Sequence, residues 1–137
     1  MAISITTTSG VTLGLASRWS RLVGQMIDGS FAALPMFLAA AIAKGGSVIS
    51  APLFILGIGW MFFYLFLADG LHEGQSFAKQ WLGMRVVSAS GVPCTFGQSF
   101  VRNIFTILGP FDWIFIFGDR RQRLGDKVAG TIVVIAD

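Results

Sequence analysis

Two apolar runs separated by only KGGS, residues 44–47, constrain this chain more than any other feature. The runs occupy residues 22–43 and 48–68. An α-helix needs about 20 residues, at about 1.5 Å rise each, to cross the hydrocarbon core of a bilayer, and both runs meet that length. So short a linker permits only a tight turn, so the two helices must fold back on each other as an antiparallel hairpin. Pro35 and Pro52 lie inside the runs, which membrane helices tolerate when neighbours satisfy the freed backbone groups. Composition agrees: 54% of residues are hydrophobic and 12% charged, about half the charge of a soluble domain.

The 137 residues suffice for one domain. Residues 1–17, MAISITTTSGVTLGLAS, hold neither a positive side chain nor a long apolar core. They read as a flexible Thr/Ser-rich N-terminal tail and not as a secretory signal, leaving residues 18–137 as a single membrane domain. Between 69 and 95 the chain is polar, and RVVSASGVP at 85–93 reads as a short strand and turn. TIVVIA at 131–136 reads as a second strand, so that a small two-stranded cytoplasmic β element is available.

The apolar stretch 99–118 contains Arg102, Asp112 and the Gly109-Pro110 break. As a third crossing it would separate Arg120, Arg121, Arg123 and Lys127 from Arg18, Arg21, Lys79 and Arg85, against the positive-inside tendency. It reads instead as a Gly-Pro-bent helical segment, re-entrant or interfacial. The predicted fold is an all-α integral membrane protein of the cell inner (plasma) membrane, with two spans and both termini cytoplasmic.

Several functions are disfavoured. A lone cysteine, Cys94, and a lone histidine, His72, supply neither a disulfide framework nor a paired-ligand metal site. No serine or cysteine has an evident activating base, so the chain does not read as an enzyme, and no cofactor is called for. The net charge of +3 belongs on a membrane face and not on nucleic acid. The basic run GDRRQRLGDKVAG, 118–130, reads as a solvated face attracted to anionic lipid.

Asp28 is the residue that most needs explaining. A carboxylate at the centre of a membrane helix costs about 3 kcal/mol on translocon scales, so it must find a partner, take a proton or face water. Arg21 lies on the same face but seven residues away, beyond the three or four of a direct helical pair. Two readings follow, a buried hydrogen-bond anchor and an ion- or proton-binding carboxylate. Arg102 is the natural partner from the bent segment, or else reaches out to lipid phosphates. Asp112 reads first as a first-turn acid of the second half-helix. Asp126 is placed to turn inward toward Arg120 or Arg123. Asp69 and Glu73 form an i,i+4 pair only if the helix continues that far.

Taken together, Arg21 with Asp28 (R-x6-D), GQSFAK at 74–79, LGMRVVSASGVP at 82–93, VRN at 101–103 and RLGDKVAGTIVV at 123–134 resemble the RDD family of membrane proteins, over about residues 18–136. The resemblance implies that the name-giving Arg and two Asp are Arg21, Asp28 and Asp126, with Asp112 the alternative second acid. Ala78 departs from a common glycine and favours a continuing helix around FAKQWLG. The resemblance implies a small polytopic protein for which cation or proton transport has been proposed. Two spans cannot enclose a transport pathway, so transport implies a homo-oligomer or a partner. The other function considered is an accessory or scaffold subunit packed against a larger membrane complex.

Overall fold

A computed structural model describes residues 3–136. Helix α1 runs Arg18–Lys44, and α2 runs Ser50–Leu67 with a 3-10 turn at Ala68–Gly70. Both are long and apolar enough to cross a membrane. Helix α1 starts four residues before the apolar run because the Ser17 hydroxyl accepts the Ser20 N–H at 2.9 Å, a cap that satisfies one orphan donor of the first turn. Its 27 residues extend about 40 Å.

Pro35 has no N–H to donate to the Phe31 carbonyl. The Trp60 indole Nε1 donates to that carbonyl instead, at 3.4 Å. Gly57 permits the approach, since a Cβ there would stand 3.3 Å from the Met36 backbone nitrogen. The hairpin thus repairs its own proline. Its outer faces remain uncovered, with Phe37, Ile55, Leu56 and Phe62 all exposed.

After the hairpin come a short helix α3 (Phe77–Trp81) and strand β3 (Met84–Ser88), which pairs antiparallel with the last strand, β4 (Thr131–Ile135). Val86 faces Val133 in this register. The two strands lie where the β-branched runs placed them. The bent segment is also present. Helix α4 (Phe96–Ile104) continues as a 3-10 turn to Leu108, α5 (Pro110–Ile114) continues as a 3-10 turn to Phe117, and the segment is bent by 110° between the two limbs. The break falls at Gly109, whose φ of 56° suits glycine, with Pro110 at the first position of α5. A short α6 (Leu124–Ala129) leads into β4.

The reading of residues 1–17 as a flexible tail is corrected. Its described part holds a second small sheet, β1 (Ser4–Thr6) antiparallel to β2 (Thr12–Gly14), turned through Gly10 at φ 85°. Leu15 then bridges to Val134 and is buried with Val87 and Ile132. Thr- and Ser-rich composition suggested mobility, but β-branched residues either side of a glycine turn are also what a hairpin needs. The fold is therefore helical with two small two-stranded sheets.

One consequence of this arrangement positions everything else. Leu15 precedes α1, β3 follows α2, and β4 follows the bent segment, yet all three meet in one layer. The helical hairpin and the bent segment each leave that layer and return to it.

Candidate functional site

Arg21, Gln25 and Asp28 fall at i, i+4 and i+7 along α1 and so share one face. That face meets the end of α2, α3, α4 and α6. At its lower end stands Asp126, fully buried, which receives the Arg21 Nη2 donor, the Arg102 Nε at 2.8 Å and the Arg123 backbone N–H at 3.1 Å. Arg102 Nη2 also lies 2.7 Å from the same oxygen, Oδ1, so two guanidinium nitrogens converge on it while Oδ2 takes Arg21 and the Arg123 N–H. The remaining Arg102 Nη1 donates to Asp69 Oδ2 at 2.8 Å, where the Asn103 amide adds a bond at 3.2 Å. The Lys79 ammonium bonds the other Asp69 oxygen and stands 3.4 Å from Asp28 Oδ2. Asp28 accepts from the Tyr64 hydroxyl at 2.7 Å, the Ser76 hydroxyl at 2.6 Å and the Ala78 N–H at 3.3 Å. To one side, Asp112 accepts the Gly125 N–H at 2.8 Å and lies 3.5 Å from Arg123, which donates to Gln25 at 2.6 Å.

Four cations (Arg21, Lys79, Arg102, Arg123) and four carboxylates (Asp28, Asp69, Asp112, Asp126) form this set, so it is neutral as a whole. Balance is what lets it be buried: an unpaired ion loses several kcal/mol of hydration that only well-placed counter-charges and hydrogen bonds return. At Asp126 burial pushes the carboxyl pKa up, but Arg102, Arg21 and Arg123 outweigh it and hold the group well below the usual carboxylate range. Gly125 makes the junction possible. A Cβ there would fall 2.0 Å from the Arg102 carbonyl oxygen, so only glycine lets α6 approach α4 closely enough for Asp126 to reach Arg102.

Of the residues singled out from sequence, Arg21, Arg102 and Asp126 come together directly. Asp28 belongs to the same network but does not pair with Arg102. Its charged neighbour is Lys79, because Arg102 is already shared between Asp69 and Asp126. Asp126 turns inward as expected, but toward Arg21, Arg102 and Arg123, while Arg120 stays exposed. Asp112 is the first-turn acid of α5 and also faces Arg123. Asp69 does not pair with Glu73, because the helix stops at Gly70 and Glu73 sits in a turn at φ 58°.

Sequence reasoning missed the roles of Lys79, Asp69, Tyr64 and Ser76. The available signal was GQSFAK itself: Ser76 precedes α3 and Lys79 follows three residues on, so both project to one side of a short helix.

The network borders a cavity of about 210 Å³, lined among others by Arg21, Asp28, Tyr64, Ser76, Lys79 and Arg102. Asp28 keeps 13% side-chain exposure, whereas Asp112 and Asp126 keep none. Asp28 is thus the carboxylate that reaches the cavity with no guanidinium on it. Two O–H donors, the Ala78 N–H and one ammonium hold it.

An uncharacterized protein of Haemophilus influenzae is 30% identical over 133 residues, covering 89% of this chain and 79% of that protein. No solved structure matches. The RDD family pattern matches residues 15–130, which takes in every member of the charge network. On that match, the chain belongs to the RDD family.

Proposed function

We propose that this RDD family protein is a two-span integral membrane protein of the cell inner membrane that exchanges protons, or protons for monovalent cations, at Asp28. The observation that carries the reading is the placement of Asp28 on the cavity with, among the described residues, only Lys79 as an ion-pair neighbour, at 3.4 Å. The other carboxylates of the network are each bound to, or beside, a guanidinium. They hold the fold while Asp28 stays free to change its charge. Meeting of Leu15, β3 and β4 in one layer supports an even number of crossings, with the segment 96–117 dipping from that layer and returning to it. A broken segment beside a cavity that charged side chains reach is how membrane transporters expose backbone and side chains to ions. One hairpin cannot enclose a pathway, so the working unit is a homo-oligomer.

The test is reconstitution into vesicles carrying an internal pH dye, with Na⁺, K⁺ or Li⁺ added outside. The wild-type protein is expected to move protons, and Asp28→Asn to abolish the signal while remaining folded. A folded wild-type oligomer without flux overturns the reading. One observation favours a second reading, an accessory subunit: an apolar groove of about 600 Å³ lined by Met26, Phe31, Leu34, Phe77 and Trp81 lies open beside α1. Under that reading a helix of a larger membrane complex fills the groove, and mild solubilisation recovers the chain in a defined complex and shows no flux for the chain alone.

A further inference from the structure

The second limb of the bent segment carries an uncommon concentration of cation–π contacts. Arg123 stands over the Trp113 ring at 5.4 Å, Lys127 over Phe115 at 4.8 Å and Arg18 over Phe117 at 5.4 Å. Such contacts occur about once in 70–80 residues, and here three fall within five. Each cation comes from outside the limb, Arg18 from the start of α1 and Arg123 and Lys127 from the entry and body of α6. The Arg18 Nε also donates to the Ile116 carbonyl at 3.3 Å, which fixes the limb at the level where α1 begins.

Arg123 is buried in the charge network, but the other two pairs face outward. Phe117 is 74% exposed and Phe111 69%, with Ile114 and Phe115 also uncovered. Arg18 and Lys127, which stand over two of these rings, are exposed, as are Asp119 and Arg120, two and three residues beyond Phe117 in the chain. An apolar ridge rimmed by cations at the end of a spanning helix matches the layering of a membrane interface, where rings enter the acyl boundary and cations meet phosphate.

We infer that residues 111–117 form an interfacial seat for anionic glycerophospholipid, with Arg18, Arg120 and Lys127 gripping the headgroup phosphates around Phe115 and Phe117. The charge of the rim selects anionic over zwitterionic lipid, because exposed cations near the surface act by attraction to the leaflet and are screened by salt. The inference rests on the membrane placement proposed above and is independent of any exchange at Asp28.

The test uses the full chain in mild detergent, titrated with phosphatidylglycerol, phosphatidylcholine or inorganic phosphate while thermal unfolding is followed. Phosphatidylglycerol is expected to bind on the order of tenfold more tightly than phosphatidylcholine at low salt, to lose that preference in concentrated NaCl, and to exceed inorganic phosphate, which lacks acyl chains. The triple variant Arg18→Gln/Arg120→Gln/Lys127→Gln is expected to treat both lipids alike. Should that variant fail to fold, the exposed Arg120→Gln alone must still weaken the preference. Equal binding of both lipids by the wild type, or a preference unchanged in these variants, overturns the inference. Failure of the wild-type chain to insert in the vesicle reconstitution described above overturns the membrane placement instead.

Discussion

Asp126→Asn isolates the part of the network that holds the fold. The substitution keeps shape and one acceptor oxygen but turns the other oxygen into an N–H₂ donor facing guanidinium groups. Arg21 and Arg102 keep 4% and 1% side-chain exposure, so neither can recover its lost partner from water. The balance of four cations and four carboxylates becomes four and three. Removing one partner of a buried ion pair costs about 3–5 kcal/mol, a large share of the roughly 5–15 kcal/mol stability of a typical domain. Denaturant or thermal unfolding in detergent micelles, followed by far-UV circular dichroism, measures the loss. Adding Arg21→Met to Asp126→Asn returns the network to neutrality, three and three. The double variant is therefore expected to be more stable than Asp126→Asn alone, by about 1 kcal/mol or more, a coupling typical of groups in one network. A loss under about 1 kcal/mol in the single variant, or strictly additive losses in the double one, refutes the reasoning.

Three further outcomes follow from the same contacts. Gly125→Ala, whose Cβ would lie 2.0 Å from the Arg102 carbonyl, is expected to cost about 3 kcal/mol or to prevent folding, and an unchanged melting temperature in a thermal scan contradicts the close approach. Stability is expected to depend on pH through Asp126: its folded pKa is depressed below the unfolded value of about 3.9, so its contribution is complete above about pH 5 and is lost as pH falls through the folded pKa; unfolding midpoints from pH 7 down to pH 3 check this, and a contribution that grows on acidification contradicts it. Cys94 is buried and its thiol is pushed up to about 11 by burial, so maleimide at pH 7.5 is expected to label it only after denaturation, and rapid labelling of the folded chain, read by mass spectrometry, contradicts its burial.

The parts of the fold written in local patterns were the parts legible in the sequence. Apolar length and the KGGS linker specify the hairpin, and Gly109-Pro110 specifies the bend, because each acts through backbone geometry within a few residues. The β3–β4 pair was legible from its β-branched runs. The hairpin at 4–14 was missed because threonine and serine serve loops and strands equally, and only docking of Leu15 on Val134 decides between them. At the site, Arg21, Asp28, Arg102 and Asp126 were legible as charges that an apolar environment must neutralise. Which charge meets which was not. Arg102 lies 24 residues from Asp126 and 33 from Asp69, and such pairings depend on how α4 and α6 pack, a matter settled by Gly125 and not by spacing. Tyr64 was hidden in an aromatic-rich helix where nothing local marks its hydroxyl as the donor to Asp28.

The claim on which the account turns is that Asp28, with Lys79 beside it, borders an accessible cavity while Asp112 and Asp126 are sealed. Substituting Asp28→Cys and treating the protein in sealed vesicles with a small, water-soluble, positively charged methanethiosulfonate reagent tests this directly, with native Cys94 as the buried control in the same molecule. Labelling at position 28 and protection at Cys94 is the predicted result. Equal protection of both thiols would mean that the carboxylate has no route to water, and would contradict the account.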